Sequence, residues 1–368
     1  MAGLGGRGVG AVVRNLVGEQ DGVAHRIDGI DLLVAGGGPA GLATAMYATQ
    51  AGLEAVVIDR RRGPIDKACG EGMMPHTVGH LQALGVVPHG KAFHGITYLD
   101  ATRSVRADFR GGSGLGMRRT ALHQAMTDAA IAAGVRIIEG DVGEITQDEN
   151  SVSCSGLQAR YLAAADGLHS PIRRALGLNL PSRGRRRWGI RRHFDIAPWS
   201  DTVQVYWSSE TRTEAYVTPV ADDCVGVAIL SSEQGKFGDH LIEFPRLEER
   251  LSGASHGSDR AAGPLRQRVR DRVAGRVLLV GDAAGYVDAL TGEGLGIAFG
   301  GAEVLVQSVL ADKPGDYDQS WRQMSRRYRL LTAGLLEASG LKPVRSLIVP
   351  AAHALPKAFS GIVNLLAN

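Results

Sequence analysis

The sequence predicts an α/β fold in which a parallel, helix-covered sheet is interrupted by a second, mostly antiparallel sheet. Residues 31–59 have the pattern of a strand, a helix and a second strand, about the length of one βαβ unit. Residues 186–230 alternate apolar and polar side chains, as antiparallel strands do. The apolar run 277–280 then returns to the first pattern. The parallel domain is therefore predicted to be discontinuous in sequence.

Composition and charge narrow the class of protein. The chain has 368 residues, 44% of them hydrophobic and 21% charged, which is typical of a globular protein of about two domains. A net charge of +3 gives no electrostatic reason to expect a nucleic-acid partner. The three cysteines are far apart and favour neither a disulfide framework nor a metal site, so we expect a reducing, cytoplasmic environment. We also expect no membrane span, because no apolar run reaches about 18 residues.

The predicted domain organisation follows these changes of pattern. The Gly-rich residues 1–28 are expected to be a mobile extension, and the oligomeric state is left open. Residues 29–84, 118–180 and 270–316 are assigned to the nucleotide domain, 85–117 and 181–269 to a substrate domain, and 317–368 to a C-terminal helical segment. Locally, Thr120 is predicted to cap a helix, 142–145 to be a strand, and 321–336 to be one helix.

The first motif is Gly36-x-Gly38-x-x-Gly41 at the first strand-to-helix turn. One glycine makes the tight turn, one lets the backbone approach a pyrophosphate, and one lets helix and strand pack closely. Pro39 and Ala40 open the helix, whose N-terminal N–H groups attract phosphate. Asp59, followed by Arg60, ends the second strand, where a carboxylate binds ribose hydroxyls. A second match, Gly3-x-Gly5-x-x-Gly8, has no strand before it and is interpreted as chance.

Two further motifs end predicted strands with an aspartate beside a glycine. They are Asp166-Gly167 and Gly281-Asp282, and the second is followed by Gly292, Gly294 and Gly296. Carboxyl ends of parallel strands meet at the ligand crevice of an α/β sheet, so the two aspartates are expected near one ligand. Asp-Gly is also a common turn, and each motif alone has that plainer interpretation.

In this order and spacing, the three motifs resemble the flavin monooxygenases of the p-hydroxybenzoate hydroxylase superfamily. The segment from Lys67 to Gly72, which contains Cys69, and the strand from Tyr216 to Pro219 resemble its geranylgeranyl reductase-like branch. The resemblance implies FAD as cofactor and NAD(P)H as a transient co-substrate, since no second GxGxxG lies in a strand-turn-helix context. It does not extend to Ala289, where many members have proline, nor to the halogenase WxWxIP motif, which is absent.

The resemblance also implies roles for individual residues. The predicted FAD-binding residues are Gly36, Gly38, Pro39, Ala40, Gly41, Asp59, Arg60, Arg119, Val142, Asp166, Gly281, Asp282, Gly294, Leu295 and Gly296. The substrate-pocket candidates are Cys69, His193, Tyr206, Tyr216 and Pro219. A buried thiol, a structural histidine and core aromatics are the plainer interpretations of these candidates. No catalytic residue is assigned, because a flavin itself carries the difficult step.

Three functions remain open on the sequence. We expect an NAD(P)H-consuming monooxygenase that uses O2 to hydroxylate or epoxidise an apolar aromatic or polyketide-type small molecule, in secondary metabolism. The first alternative is a reductase of prenyl double bonds, which the segment beginning at Cys69 favours. The second is a non-catalytic FAD-binding protein. The apolar stretch 341–366 is predicted to cap the substrate cavity rather than contact a membrane.

Overall fold

The computed structural model describes residues 29–182, 184 and 186–367. The predicted extension, residues 1–28, lies outside the described residues. The strands are β1 Leu32–Ala35, β2 Ala55–Asp59, β3 Gly72–Met73, β4 Lys91–Phe93, β5 Gly95–Leu99, β6 Ser104–Asp108, β7 Gly114–Gly116, β8 Arg136–Glu139, β9 Thr146–Gln147, β10 Val152–Cys154, β11 Leu157–Ala159, β12 Tyr161–Ala164, β13 Asn179–Leu180, β14 Trp188–Phe194, β15 Val203–Trp207, β16 Glu214–Pro219, β17 Val225–Ser231, β18 Arg260–Ala262, β19 Arg268–Val269, β20 Val273–Ala274 and β21 Val277–Leu279. The helices are α1 Pro39–Gln50, α2 Pro75–Ala83, α3 Arg119–Ala132, α4 Pro171–Ala175, α5 Phe237–Leu241, α6 Pro245–Leu251, α7 Gly294–Leu310, α8 Asp316–Met324, α9 Arg326–Gly340, α10 Lys342–Arg345, α11 Ile348–Ala354 and α12 Pro356–Ala367, with a 3₁₀ turn at Gly281–Ala284.

The first large sheet is parallel except at one edge. Its six strands lie in the order β20-β21-β12-β1-β2-β8, and only β20 runs antiparallel to its neighbour. Strands β1, β12 and β21 are continuous apolar runs, buried along their whole length. Parallel strands of this composition are stable when helices cover both faces. Helix α1 packs against α7 and α3 to provide one of these layers.

The second large sheet has seven strands in the order β18-β14-β17-β16-β15-β5-β6. Neighbouring strands are antiparallel except for β15 and β5, which are parallel. One face of β15 and β16 packs toward the C-terminal helices, and the other packs toward α5 and α6. The predicted fold class, a nucleotide-binding α/β domain with a mostly antiparallel sheet inserted, is confirmed.

Three local predictions are wrong for identifiable reasons. Helix α3 begins at Arg119 rather than after Thr120, because the carboxylate of the distant Glu71 accepts the Arg119 N–H at 2.8 Å and serves the helix N-terminus. Residues 142–145 form no strand, since the Ser155 side chain bonds this segment's backbone. The predicted helix 321–336 is divided into α8 and α9 at Ser325, whose hydroxyl donates to the Trp321 carbonyl.

Candidate functional site

A large cavity lies between the two main sheets, at the carboxyl ends of β1, β12 and β21. Its volume is about 1150 Å³, more than the roughly 300–1,000 Å³ typical of a site for one small ligand. One part of its lining is polar and consists mainly of loops that follow the parallel strands. The other part is apolar and consists of the antiparallel sheet and the C-terminal helices.

The turn between β1 and α1 lines the polar part and depends on the absence of side chains. A Cβ atom on Gly41 would lie 1.8 Å from the carbonyl oxygen of Gly36, so only glycine allows the turn to close. A Cβ on Gly38, by contrast, would meet no atom within 4 Å, because this residue faces the open cavity. The N-terminus of α1 therefore presents backbone N–H groups and a partial positive charge to free space.

Asp59 stabilises the backbone of this turn. Its Oδ2 accepts the Gly37 N–H at 2.7 Å, and Arg61 donates to both carboxylate oxygens. Burial alone would raise the pKa of the Asp59 carboxyl, but the hydrogen bonds from Arg61 and Gly37 outweigh burial and lower it. Asp59 is therefore an ionised carboxylate at the end of β2.

A buried polar cluster beside the cavity connects β14 of the antiparallel sheet to helix α3 and to the loop before β3. Glu71, whose φ of 61° is left-handed, accepts the Arg119 N–H through Oε1. Its Oε2 lies 2.6 Å from His193 Nε2, and His193 Nδ1 lies 3.0 Å from Arg191 Nη1. Arg191 in turn bonds Asp66. The cluster fixes the loop that begins at Cys69, because the Glu71 N–H donates to Cys69 Sγ at 3.4 Å.

Arg119 is the clearest example in this part of the cavity of a buried side chain with an unused hydrogen-bond donor. Its side chain is 6% exposed, and Nη1 has no hydrogen-bond partner. Burial lowers the pKa of this guanidinium, and nearby Asp282 and Glu71 act in the opposite direction. Asp166 Oδ1 is likewise buried without a partner. Unpaired buried polar atoms are costly, so a polar ligand that bonds to them would stabilise the protein.

Asp282 and Lys67 interact electrostatically in the same part of the cavity. Burial raises the pKa of the Asp282 carboxyl, while Lys67 and Arg119 oppose this shift. Burial also lowers the pKa of the Lys67 ammonium. Both side chains line the cavity. The polar part thus offers cationic and anionic partners together with backbone donors.

The apolar part begins beside Cys69 and extends to the C-terminal helices. Its lining includes Phe93, Ile96, Tyr98, Val203, Val205, Tyr216, Leu290, Leu335, Ile348, Leu355, Phe359, Ile362, Val363 and Leu366. The Tyr216 hydroxyl is already used, since it donates to the Leu290 carbonyl at 2.8 Å. Burial raises the pKa of the Cys69 thiol, so the thiol is neutral near pH 7.

Beside this cavity, a histidine and a buried carboxylate link three separate helices. His76 Nε2 on α2 lies 2.9 Å from Oε2 of Glu293, which precedes α7. His76 Nδ1 lies 3.2 Å from the Ala367 carbonyl at the end of α12. Burial would lower the pKa of His76, but the contact with Glu293 outweighs burial and raises it. Burial raises the pKa of the Glu293 carboxyl.

These two shifts predict a pH-dependent stability. A pKa raised on folding contributes stability at low pH that is lost as pH rises through the folded-state value. We expect the free energy of unfolding to fall as the pH rises above about 6.5. The substitution His76→Gln should reduce this fall by about 1 kcal/mol or less, so that stability depends less steeply on pH. Urea unfolding on both sides of neutrality measures this. Exposed His89→Gln is the control, and an unchanged slope in His76→Gln would contradict the prediction.

The family model described as "FAD binding domain" matches residues 29–315, most of the chain. The chain belongs to this family. It is a flavoprotein and an FAD-dependent oxidoreductase, and it has the fold of the p-hydroxybenzoate hydroxylase superfamily. The resemblance seen in the motifs is therefore confirmed.

Similar proteins include two curated reductases. A digeranylgeranylglycerophospholipid reductase of Methanothermobacter thermautotrophicus is 28% identical over 337 residues, covering 82% of each chain. A menaquinone reductase of Mycolicibacterium smegmatis is 24% identical over 340 residues, covering 79% of each. Among solved structures, a flavin-dependent brominase has a TM-score of 0.77 with 16% identity, over 92% of this chain and 93% of its own. This last likeness shows the fold alone.

The polar part of the cavity fits FAD by its own chemistry. The open space at Gly38 suits a pyrophosphate at a helix N-terminus, and the unpartnered Arg119 Nη1 provides a buried donor for a polar group. Of the predicted FAD-binding residues, the lining includes Gly38, Pro39, Ala40, Arg60, Arg119, Asp166, Gly281, Asp282, Gly294 and Leu295. The family membership supports FAD binding, and the individual contacts remain predictions.

The other predicted cofactor residues lie behind this surface or away from it. Gly36 and Gly41 shape the turn, and Asp59 supports it. A Cβ on Gly296 would lie 2.5 Å from His76 Nε2, so this glycine packs against α2. Val142 packs against the core of the parallel sheet, and the cavity lining does not include it.

The substrate-pocket candidates are divided by the second sheet. Cys69 and Tyr216 line the cavity. Tyr206 points to the opposite face of the sheet, where it packs against Phe244. Pro219 lies with Trp199 at a small surface depression, and His193 is buried against Glu71. Sequence reasoning missed Glu71 and Lys67 as site residues, although both lie in the segment that carries Cys69.

Proposed function

We propose that this protein is an FAD-dependent reductase that saturates carbon–carbon double bonds in an isoprenoid lipid chain. The observation that carries the proposal is the apolar half of the cavity. It begins beside Cys69 and continues to Leu355 and Ile362, which are partly exposed at the protein surface. A long hydrocarbon chain would bury its whole length there and leave a polar end outside.

The names of the two curated relatives support this substrate class. One is a reductase of a digeranylgeranyl lipid and the other a reductase of menaquinone, and each aligns with about four fifths of this chain. The halogenases, the hydroxylase and the geranylgeranyl bacteriochlorophyll reductase-like protein among the solved structures are all less than 20% identical to it and share its fold. Sequence relatedness thus favours reduction over oxygen transfer.

Each part of the site has a proposed role. FAD bound in the polar part would supply a hydride when reduced, and the α1 N-terminus, Arg119 and Asp282 would hold it. Cys69 holds a proton on Sγ at the junction of the two halves, because burial keeps the thiol neutral. Saturation of a double bond needs that hydride and one proton. Tyr216 and Phe359 position the chain by apolar contact and exclude water.

We propose NAD(P)H as the reductant, bound transiently at the polar mouth. Arg60, Arg174 and Arg260 line this side of the cavity, and guanidinium groups bind phosphate well. The sequence has one GxGxxG turn in a strand-turn-helix context, at Gly36, and we assign this turn to FAD. It therefore predicts no second dinucleotide domain for the reductant.

Product analysis tests the proposal. The holoenzyme is reduced under argon and mixed with a geranylgeranyl lipid, and the products are analysed by mass spectrometry. We expect a gain of two hydrogen atoms for each double bond reduced, without oxygen. A lipid recovered unchanged, with the flavin still reduced, would contradict the reductase.

A flavin monooxygenase is the second candidate, acting on an apolar aromatic molecule. The aromatic side chains of Phe93, Tyr98 and Phe359 in the cavity lining favour it, as does the fold shared with an anhydrotetracycline hydroxylase. The same experiment repeated in air, with phenols as substrates, would then give a product that contains one additional oxygen atom.

A further inference from the structure

The C-terminal helices present an exposed apolar surface beside the apolar part of the cavity. Of the twelve large hydrophobic side chains that are exposed in the described residues, seven lie in the stretch 330–365. They are Leu330, Leu341, Val344, Leu347, Leu355, Ile362 and Leu365. Single exposed apolar residues are ordinary, but this concentration in one short segment indicates a contact surface.

Helix α12 is apolar on both its buried and its exposed face. Phe359, Val363 and Ala367 are buried, and Phe359 and Val363 pack into the apolar core beside the antiparallel sheet. The opposite face carries Ala358, Gly361, Ile362 and Leu365, which are exposed and follow the three- and four-residue spacing of one helical stripe. A helix that lies on a protein in water normally has polar residues there. We call this outer stripe, together with the exposed Leu341, Val344, Leu347 and Leu355, the C-terminal apolar face.

The C-terminal apolar face is continuous with the cavity. Leu355 is 63% exposed and Ile362 is 52% exposed, and both also line the cavity. The cavity therefore reaches the C-terminal apolar face at these two side chains. At these two residues, a molecule can pass from the C-terminal apolar face into the cavity without crossing polar surface.

The charge of this segment indicates what the surface contacts. Residues 338–367 contain Lys342, Arg345 and Lys357 and no acidic residue. Lys342 and Lys357 are exposed, beside Leu341 and Leu355 respectively. Lys342 pairs with the exposed Glu210 at 2.8 Å, so attraction to an anionic headgroup depends mainly on Lys357. Apolar side chains flanked by lysines suit the boundary between acyl chains and anionic headgroups of a bilayer.

The helices of this segment are short and are joined by a sharp bend. No single helix in the described part of the chain has the length and composition to cross a membrane. Lys342–Ala354 and Pro356–Ala367 meet that test only as a pair bent by 103°. The bend gives two short arms that can rest in one plane.

We propose that the C-terminal apolar face docks on an anionic lipid bilayer and opens the cavity to it. The inference rests on the proposed function only for what enters the cavity, because docking itself needs neither cofactor reduction nor turnover. Leu347 and Leu365 belong to the face and are absent from the cavity lining, so they can be changed without altering the site.

Vesicle co-sedimentation of the FAD-bound protein tests the proposal. The probes are phosphatidylcholine vesicles with and without phosphatidylglycerol, and neither reductant nor prenyl lipid is present. We expect binding to the anionic vesicles and a loss of about tenfold or more in partitioning for the double variant Leu347→Asn/Leu365→Asn, since each leucine would otherwise be buried in lipid. Lys357→Glu should weaken binding to the anionic vesicles alone.

The matched control is Val87→Asn/Ile131→Asn. These residues are 71% and 59% exposed, against 58% and 43% for Leu347 and Leu365, and they lie outside the C-terminal segment. The control should bind vesicles as the unchanged protein does. Equal binding by both double variants would overturn the proposal. So would a dimer in light scattering that only Leu347→Asn/Leu365→Asn dissociates, because a second copy would then cover the face.

Discussion

The substitution Gly38→Ala is expected to weaken FAD binding about 100-fold while leaving the FAD-free protein folded. The added Cβ would meet no protein atom within 4 Å, and the φ of −73° at Gly38 is one that alanine adopts without strain. The methyl group would instead occupy the space in which we place the pyrophosphate, at the N-terminus of α1. A 100-fold change in Kd corresponds to about 2.7 kcal/mol.

Two measurements separate binding from folding in this variant. Titration of the FAD-free protein with FAD gives the Kd, and urea unfolding of the same sample gives the stability, which should change by about 1 kcal/mol or less. Gly79→Ala is the matched control, because a Cβ there also meets no atom within 4 Å and the residue lies outside the cavity lining. An unchanged Kd for Gly38→Ala would place the pyrophosphate elsewhere.

The second large effect is expected for Cys69→Ala. If the neutral thiol provides the proton for alkene reduction, its removal should lower kcat about 100-fold, within the range for loss of a general acid. FAD binding and reduction of the flavin by NAD(P)H should remain, because neither uses Sγ. Cys69→Ser should be nearly as slow, since a hydroxyl is a much weaker acid than a thiol.

Cys224→Ala is the control for loss of a thiol. Cys224 is buried, and it is absent from the cavity lining. Its removal should leave kcat unchanged. Normal turnover by Cys69→Ala would show that Cys69 only shapes the cavity, with the proton supplied by another group.

The parallel half of the molecule could be predicted from the sequence because its signals are local. The turn at Gly36, the helix after it and the carboxylate of Asp59 occupy one continuous βαβ unit. The rule that carboxyl ends of parallel strands converge then brings Asp166 and Asp282 to the same cavity, where both lie. Local pattern and topology were sufficient for these residues, although not for the start of α3 or for Val142.

The antiparallel half shows what sequence alone cannot provide. Tyr206 and Tyr216 look equivalent in the sequence, but Tyr206 pairs with Ala215 and Tyr216 pairs with Val205. Since side chains alternate along a strand, this register places Tyr216 in the cavity and Tyr206 on the opposite face. A shift of one residue would have exchanged them, and no local motif sets the register.

Glu71 could not be recognised as a central residue for a similar reason. Its partners Arg119 and His193 are 48 and 122 residues away in sequence. Gly226 lies on β17, and a Cβ there would lie 2.7 Å from Glu71 Oε2. The carboxylate therefore also needs the space that this glycine leaves. Only the assembled fold brings these residues together.

The most direct test of the central claim is the fate of electrons on the bound flavin. The holoenzyme is reduced without oxygen and mixed in a stopped-flow instrument with a geranylgeranyl lipid, while flavin absorbance is recorded. We expect that the lipid alone reoxidises the flavin and is recovered with at least one double bond saturated. A flavin that stays reduced until oxygen is admitted, and then gives an oxygenated product, would contradict this expectation.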